Sequence, residues 1–354
     1  MRLRALAVTV AGLTALATPS ASAATTNDPL AGQQWGLDQI HAEQAWQTST
    51  GAGQVIAVVD TGVDLGHPDL QSQLVPGATF ACGGAPAPCG NGDWVGGDGV
   101  GQDTDVHGTH VAGIAAAAAN NGIGGAGVAP DAKIMPVKVL ENGSGAFSEI
   151  GAGIRYAADN GANVINLSLG AQPGTQLLTL LGIEADAKDA IEYARSKGVV
   201  VVASAGNETA PLCDTPAWEK GALCIAATDR EEKKASYSNF GLKLDMKAVS
   251  APGGAGDDVC ADDVISTVPR GMGTPKCGQP DYDALAGTSM AAPMVAGAAA
   301  LLTAQGRSVD QVEQVLMDTA HTPGSDNTGQ FSLLTGHGVI DAAAAVNAPV
   351  VPQP

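Results

Sequence analysis

The sequence predicts an α/β fold in three layers, a mostly parallel central sheet with helices on both faces, and three observations carry that expectation. Apolar runs of strand length alternate with alanine-rich stretches of helical length along most of the chain. The strand-length runs show no polar alternation, so both faces of each strand must be buried, as happens when helices cover both sides of a parallel sheet. The chain has 354 residues, 45% of them apolar, enough to bury a substantial core in one domain.

The first strand is the run Val55–Val59, β-branched except for Ala57. A helix is expected over His107–Ala119, followed by a strand over Ile134–Val139. The next helix, Ser148–Asn160, has Ser148 in front as a cap and Gly161 behind as a stop. A strand over Val164–Leu169, a helix over Ala185–Lys197 closed by Gly198, and a strand over Val199–Ala203 continue the pattern. No internal repeat and no linker interrupts it, so residues 24–348 are expected to form one domain, with 349–354 as a short tail.

The N-terminus reads differently. Arg2 and Arg4 precede the apolar run Ala5–Ala17, and Ala21-Ser22-Ala23 has the small-x-small form of a cleavage site. Residues 1–23 are therefore expected to be a secretory signal peptide, the run being shorter than the ~20 residues of a spanning helix. A secreted, extracellular protein is the consequence. The full sequence carries 36 acidic and 17 basic side chains for a net charge of −19, and loss of two arginines makes the exported chain more acidic still. Such acidity argues against nucleic acid as a partner, and no Lys/Arg run suggests a membrane surface. A monomer is expected.

Export makes the six cysteines readable as disulfides. Several connectivities are open, and the short-range couples Cys82/Cys89, Cys213/Cys224 and Cys260/Cys277 are favoured, each in a Gly-, Pro- or Asp-rich loop. The competing metal reading lacks any C-x-x-C spacing.

In a parallel α/β sheet, reactive groups gather beyond the carboxyl ends of the strands. Three motifs meet that condition: Val58-Val59-Asp60-Thr61-Gly62 ends the first strand, His107-Gly108-Thr109-His110 opens a helix, and Gly287-Thr288-Ser289-Met290-Ala291 opens another. Singly, each has a structural reading, with Asp60 and Asn207 as turn formers, His107 as a solvated helix start and Ser289 as a cap. The order Asp, His, Ser along one chain distinguishes one lineage of nucleophilic triads from others. With these motifs go His67-Pro68-Asp69-Leu70, Leu167-Ser168-Leu169-Gly170, Ala205-Gly206-Asn207 and Gly336-His337-Gly338-Val339.

On these residues the sequence resembles the subtilisin-like serine endopeptidases, in particular the thermitase-like group, from about Asp28 to Val346. The resemblance implies a subtilisin-like fold and an acyl-enzyme mechanism. Ser289 would be the nucleophile, His107 its general base, Asp60 the partner of the imidazolium, and Asn207 a side-chain donor to the oxyanion. His110, one turn after His107, is expected to be structural. Gly143-Ser144-Gly145 and Ser168-Leu169-Gly170 would flank an extended peptide and pair with its backbone. Aligning Thr215-Pro216 with the family's aromatic-Pro pair places Asp214 at the base of the specificity pocket, where an unpaired carboxylate would favour Lys or Arg.

The resemblance also implies a structural Ca²⁺, held by Asp28, Asp69 and Asn121 together with the carbonyls of Ala119, Ile123 and Gly125. Family members usually carry a pro-segment of several tens of residues, whereas here Ala24–Asn27 alone separates the expected cleavage site from the domain. Two other classes compete with proteolysis. A non-catalytic binding protein on this scaffold is opposed by the complete triad, and an esterase by the lack of a G-x-S-x-G elbow.

Overall fold

The computed structural model describes residues 26–83, 87–89, 102–171, 175–176, 185–257 and 259–350. The expected signal peptide and residues 351–354 of the expected tail lie outside them.

Seven parallel strands form the central sheet: β1 (Val55–Asp60), β2 (Ala78–Thr79), β3 (Lys133–Lys138), β4 (Val164–Leu167), β5 (Val200–Ser204), β6 (Ala222–Thr228) and β7 (Ala248–Pro252). Their spatial order is β2-β3-β1-β4-β5-β6-β7. Ile56 of β1 pairs with Ile134 on one side and Val164 on the other. The chain order reverses direction across the sheet at β1, and crevices form at such switch points. Beyond the sheet, β8 (Val264–Thr267) and β9 (Tyr282–Leu285) make a separate antiparallel ribbon.

Eight α-helices lie wholly within the described residues: α1 (Trp35–Gln39), α2 (Ala42–Ala45), α3 (His107–Ala116), α4 (Phe147–Asp159), α5 (Asp186–Ser196), α6 (Thr288–Thr303), α7 (Val309–Thr319) and α8 (Ala342–Asn347). The two faces of the sheet feed two cores. Ile56 and Val58 of β1 point into one, with Val111 of α3 and Val295 of α6. Ala57 and Val59 point into the other, with Ile154 of α4 and Ile191 of α5. This double burial is the physical reason that the strands read as uninterrupted apolar runs, each fully buried Val or Ile contributing about 1.5–3 kcal/mol relative to exposure.

Most element ends fall within a residue of expectation, and three of those that differ have identifiable causes. Helix α3 stops at Ala116 rather than Ala119, because Ala117 turns extended and the Ala118 N–H leaves the helix for the Asp69 carbonyl. Helix α4 starts at Phe147 with Ala146 as its N-cap residue, and Ser148 lies inside the first turn. The Glu149 carboxylate, not a serine hydroxyl, takes the Ala146 N–H at 2.9 Å. Strand β4 ends at Leu167, freeing Ser168 and Leu169 from the ladder.

The cysteines pair as Cys82–Cys89, Cys213–Cys224 and Cys260–Cys277, the expected couples. Among the described residues no helix is long and apolar enough to cross a membrane.

Candidate active site

Strand β1 delivers Asp60 to the carboxyl edge of the sheet, and α3 starts beside it. Gly108 makes the approach possible, since a Cβ there would overlap the Gly62 carbonyl. The Gly108 N–H donates to Thr61 Oγ1 at 2.9 Å, and Thr61 Oγ1 donates to Asp103 Oδ1 at 2.9 Å. His107, the first residue of α3, then meets the end of β1, with Nδ1 2.7 Å from Asp60 Oδ1. The Thr61 N–H also donates to Asp60 Oδ1, at 2.7 Å.

Burial pulls the His107 imidazole down, but the adjoining Asp60 carboxylate, with Asp103 and Asp105 near, more than offsets this and holds it above the ordinary histidine value. Asp103 was not singled out from sequence. It accepts the N–H and hydroxyl of Thr109 at 2.9 and 2.6 Å, and burial pushes its carboxyl up to about 6. Its signal was its place four residues before His107. Lys138, at the end of β3, is a second unforeseen support. Its Nζ donates to the Thr61 carbonyl at 2.8 Å and pairs with Glu141 at 2.8 Å, tying the Asp60 edge to the 141–145 turn.

His110 is fully buried, with Nε2 donating to the Asp283 carbonyl at 3.1 Å. Burial lowers it to about 4, so it stays neutral, as a structural histidine should.

Ser289 is the second residue of α6, a helix apolar along nearly its whole length and seated against the sheet. Pro293 within α6 has no N–H to give the Ser289 carbonyl four residues earlier. The Ser168 hydroxyl replaces that bond, donating to the Ser289 carbonyl at 2.8 Å while accepting from Asn166 Nδ2 at 2.9 Å. The Ser289 hydroxyl donates to the Ser168 carbonyl at 3.3 Å rather than to His107. Catalytic hydrogen bonds of a free enzyme often tighten only when substrate arrives.

Asn207 follows β5 and is anchored through its side-chain oxygen. Oδ1 accepts from the Thr288 N–H at 2.9 Å and the Thr288 hydroxyl at 3.0 Å, which leaves the Nδ2 donors directed away from these contacts.

A cavity of about 640 Å³ joins these groups. His107, Ser289, Gly143, Ser144, Gly145, Ser168, Leu169 and Gly170 all line it, with Asp105, Leu140 and Ile150 among the residues that sequence reasoning missed. Asp214 departs from expectation. It is 1% exposed and is not part of the cavity lining, which its neighbour Thr215 provides. Its carboxyl instead joins Glu208, Gln176 and Asn239 behind Gly170 and Gly206. A buried carboxylate without donors is costly, and this cluster supplies them.

Three of the residues expected to hold a cation, Asp28, Asp69 and Asn121, lie together. Asp28 accepts from the N–H groups of Asn120, Asn121 and Gly122 at 2.8–3.1 Å, and Asn121 Nδ2 donates to Asp69 Oδ1 at 2.6 Å. Both carboxylates are buried, and burial pushes Asp69 up to about 6. Among the described residues no Lys, Arg or His pairs with either acid, and no three or more His, Cys, Asp or Glu are grouped so that they could hold a metal ion.

Comparison with known proteins agrees with this architecture. The model of the Subtilase family matches residues 51–338. Thermitase of Thermoactinomyces vulgaris is 42% identical over 298 residues, 84% of this chain and 91% of that protein. Subtilisin BL of Lederbergia lenta is 38% identical over 315 residues, 88% of this chain and 97% of that protein. Among solved structures, a protease of Pseudoalteromonas arctica superimposes with a TM-score of 0.73 at 33% identity, covering 92% of this chain and 99% of its own.

Proposed function

The chain belongs to the subtilase family and is a serine-type endopeptidase, and on that premise we propose that Asp60, His107 and Ser289 are its triad and Asn207 its oxyanion donor. The observation that carries the assignment is the 2.7 Å bond between His107 Nδ1 and Asp60 Oδ1 on the wall of a cavity that Ser289 also lines. With Nδ1–H given to Asp60, the other ring nitrogen is left as the base.

In acylation, Ser289 Oγ attacks the scissile carbonyl as its proton passes to His107 Nε2. Asp60 stabilises the imidazolium without taking the proton. The oxyanion receives the Asn207 amide and the Ser289 N–H, one of the first N–H groups of α6 with no partner inside the helix. The imidazolium then protonates the leaving amine, and water repeats the sequence on the ester.

Protein substrates follow from the family. The 143–145 turn and 168–170 segment flank the cavity, which supports their pairing with an extended peptide backbone. The domain would be residues 24–348, exported after removal of 1–23 and active as a monomer. Cys82–Cys89, Cys213–Cys224 and Cys260–Cys277 suit an extracellular setting, and a Xanthomonas campestris relative, 35% identical, is named an extracellular protease.

The residues around Asp28 and Asp69 fit a structural Ca²⁺. Two buried carboxylates, neither with a cationic partner among the described residues, lie beside a glycine-rich loop and supply the kind of oxygen ligand this ion takes. Asp28, Asp69 and Asn121, with the carbonyls of Ala119, Ile123 and Gly125, would hold it, and it would tie the N-terminal segment to the 119–125 loop.

Labelling with a fluorophosphonate tests the triad. The folded protein should be modified at Ser289 and should cleave a denatured protein, and Ser289→Ala should do neither. Equal cleavage by Ser289→Ala would sink the assignment.

A further inference from the structure

Behind the cavity wall two acids converge on the segment that carries Asn207. Gly206, with φ of +107°, admits them, since a Cβ at that position would overlap Asp214 Oδ2, Asn239 Nδ2 and Glu208 Oε2 together. Glu208 Oε2 accepts the Asn207 backbone N–H at 2.8 Å and Asn239 Nδ2 at 3.0 Å. Asn239 Oδ1 in turn takes the Glu208 N–H at 3.0 Å, and its Nδ2 also reaches the Ala205 carbonyl at 3.0 Å. Asp214 is buried against the same stretch. Its N–H donates to the Ala205 carbonyl at 2.8 Å, and its Oδ1 accepts Gln176 Nε2 at 3.3 Å.

We propose that Asp214 and Glu208 share one proton and act as a positioning pair for Asn207, holding residues 205–208 in the shape that aims the Asn207 amide at the oxyanion. The proposal rests on the reading of Asn207 given above. It assigns Asp214 a place behind the pocket, acting through Asn207 rather than on substrate.

The physical case begins with the charge. Two carboxyl groups at one site do not both ionise cheaply. Protonated Asp214 donates its O–H to Glu208, which remains an anionic acceptor for the Asn207 N–H, a charge-assisted bond stronger than a neutral one. Burial, and then the adjoining Glu208, push Asp214 up to about 7. Loss of the shared proton leaves two like charges. Among the described residues no basic side chain pairs with either acid. Lys234, on the segment leading to Asn239, bonds the carbonyls of Ala235 and Ser238 instead. The other acid close by is Glu219, bonded to the Thr215 hydroxyl, and it adds negative charge. Glu208 lies at the surface, so the charged pair relaxes by moving Glu208 toward water, which releases the Asn207 N–H.

The test is kcat and KM on a peptide anilide from pH 5.5 to 9.5, with active enzyme counted by titration. It compares the unmodified protein, Asp214→Asn, Glu208→Gln and the Ser289→Ala control. Complete loss of an oxyanion donor costs about 10²–10³ in kcat, so partial misplacement should cost about tenfold. Deprotonation of His107 raises kcat with pH in every active form, and above it the unmodified protein should lose roughly that much kcat through a second ionisation as pH rises, with KM changed less than about twofold. Asp214→Asn should lack this ionisation, because an amide donates in the same geometry and does not titrate there, and Glu208→Gln should shift it to lower pH by removing the like charge beside Asp214. The same ionisation persisting unmoved in both variants overturns the pair. If Asp214→Asn does not fold, Glu208→Gln, at an exposed position, decides alone. An active Ser289→Ala would instead overturn the underlying triad reading.

Discussion

Replacing Asn207 by Ala tests how much of catalysis rests on one preorganised dipole. Asn207 Oδ1 accepts two bonds from Thr288, from its N–H at 2.9 Å and its hydroxyl at 3.0 Å. The amide therefore cannot turn over without losing both, and Nδ2 is the end left to donate. Nδ2 stands 3.8 Å from where a Cβ would project from Gly287, at the entrance to α6 and thus beside the Ser289 N–H. Removing one such donor is worth about 2.7–4 kcal/mol in the transition state, or about 10²–10³ in kcat. A planar substrate carbonyl gains little from it, so KM should stay within about twofold. Asn207 is exposed and Thr288 Oγ1 keeps the Gly206 carbonyl at 3.3 Å, so stability should change by no more than about 0.5 kcal/mol. Asn207→Asp should be at least as impaired, because it turns a carboxylate oxygen toward the developing charge. Steady-state kinetics on a peptide anilide, with urea unfolding of the same samples, measures both quantities. A kcat for Asn207→Ala within tenfold of the unmodified protein would refute the geometry argued here.

Three further outcomes are expected. Arg270 bonds both oxygens of buried Asp64, and although burial pushes that carboxyl up, these bonds hold it down to about 2. A depressed carboxylate stabilises the fold above its unfolded value near 4 and loses that contribution as pH falls toward 2. With the Arg270 side chain 55% exposed, Arg270→Ala should cost only about 1 kcal/mol by urea unfolding at pH 7. An equal cost at pH 2 would contradict the linkage. The Cys213–Cys224 bridge, with both cysteines buried, closes a loop of sequence separation 11. Its double replacement by Ala should lower the free energy of unfolding by about 2–3 kcal/mol, and an unchanged denaturation midpoint would count against that. If Ca²⁺ binds at Asp28 and Asp69, saturation to about 100 times Kd should add about 2.7 kcal/mol. Chelator should then lower the melting temperature of the unmodified protein and leave Asp69→Asn unmoved at matched ionic strength.

Much of this molecule was readable from local pattern. Val55–Val59 reads as a doubly buried strand because Ile56 and Ala57 serve opposite cores, and Ser289 reads as a helix start because α6 begins at Thr288. Strand and helix ends were less readable, for identifiable reasons. Ala117–Ala119 has helical composition, but the Ala118 N–H finds the Asp69 carbonyl, a partner far away in sequence. Ser148 looked like a cap because serine favours that place, yet Glu149 reached the Ala146 N–H first. The short β2 and the β8–β9 ribbon carry too few residues for periodicity to register.

The sequence by itself determined the layered α/β architecture and the order Asp60, His107, Ser289, while the segments that line the cavity were implied by the family resemblance. Periodicity and motif spacing are properties of neighbouring residues, and a linear reading contains them. Tertiary structure alone decided who holds these groups in place: Thr288 on the Asn207 oxygen, Ser168 on the carbonyl that Pro293 leaves free, and Asp103 behind Thr61. It also decided that Asp214 turns to Glu208 rather than to the pocket. Several of these partners are tens to more than a hundred residues apart along the chain. What joins them is the free-energy cost of leaving a buried polar group unpaired, which becomes a constraint only once the sheet and its two cores have brought those groups together.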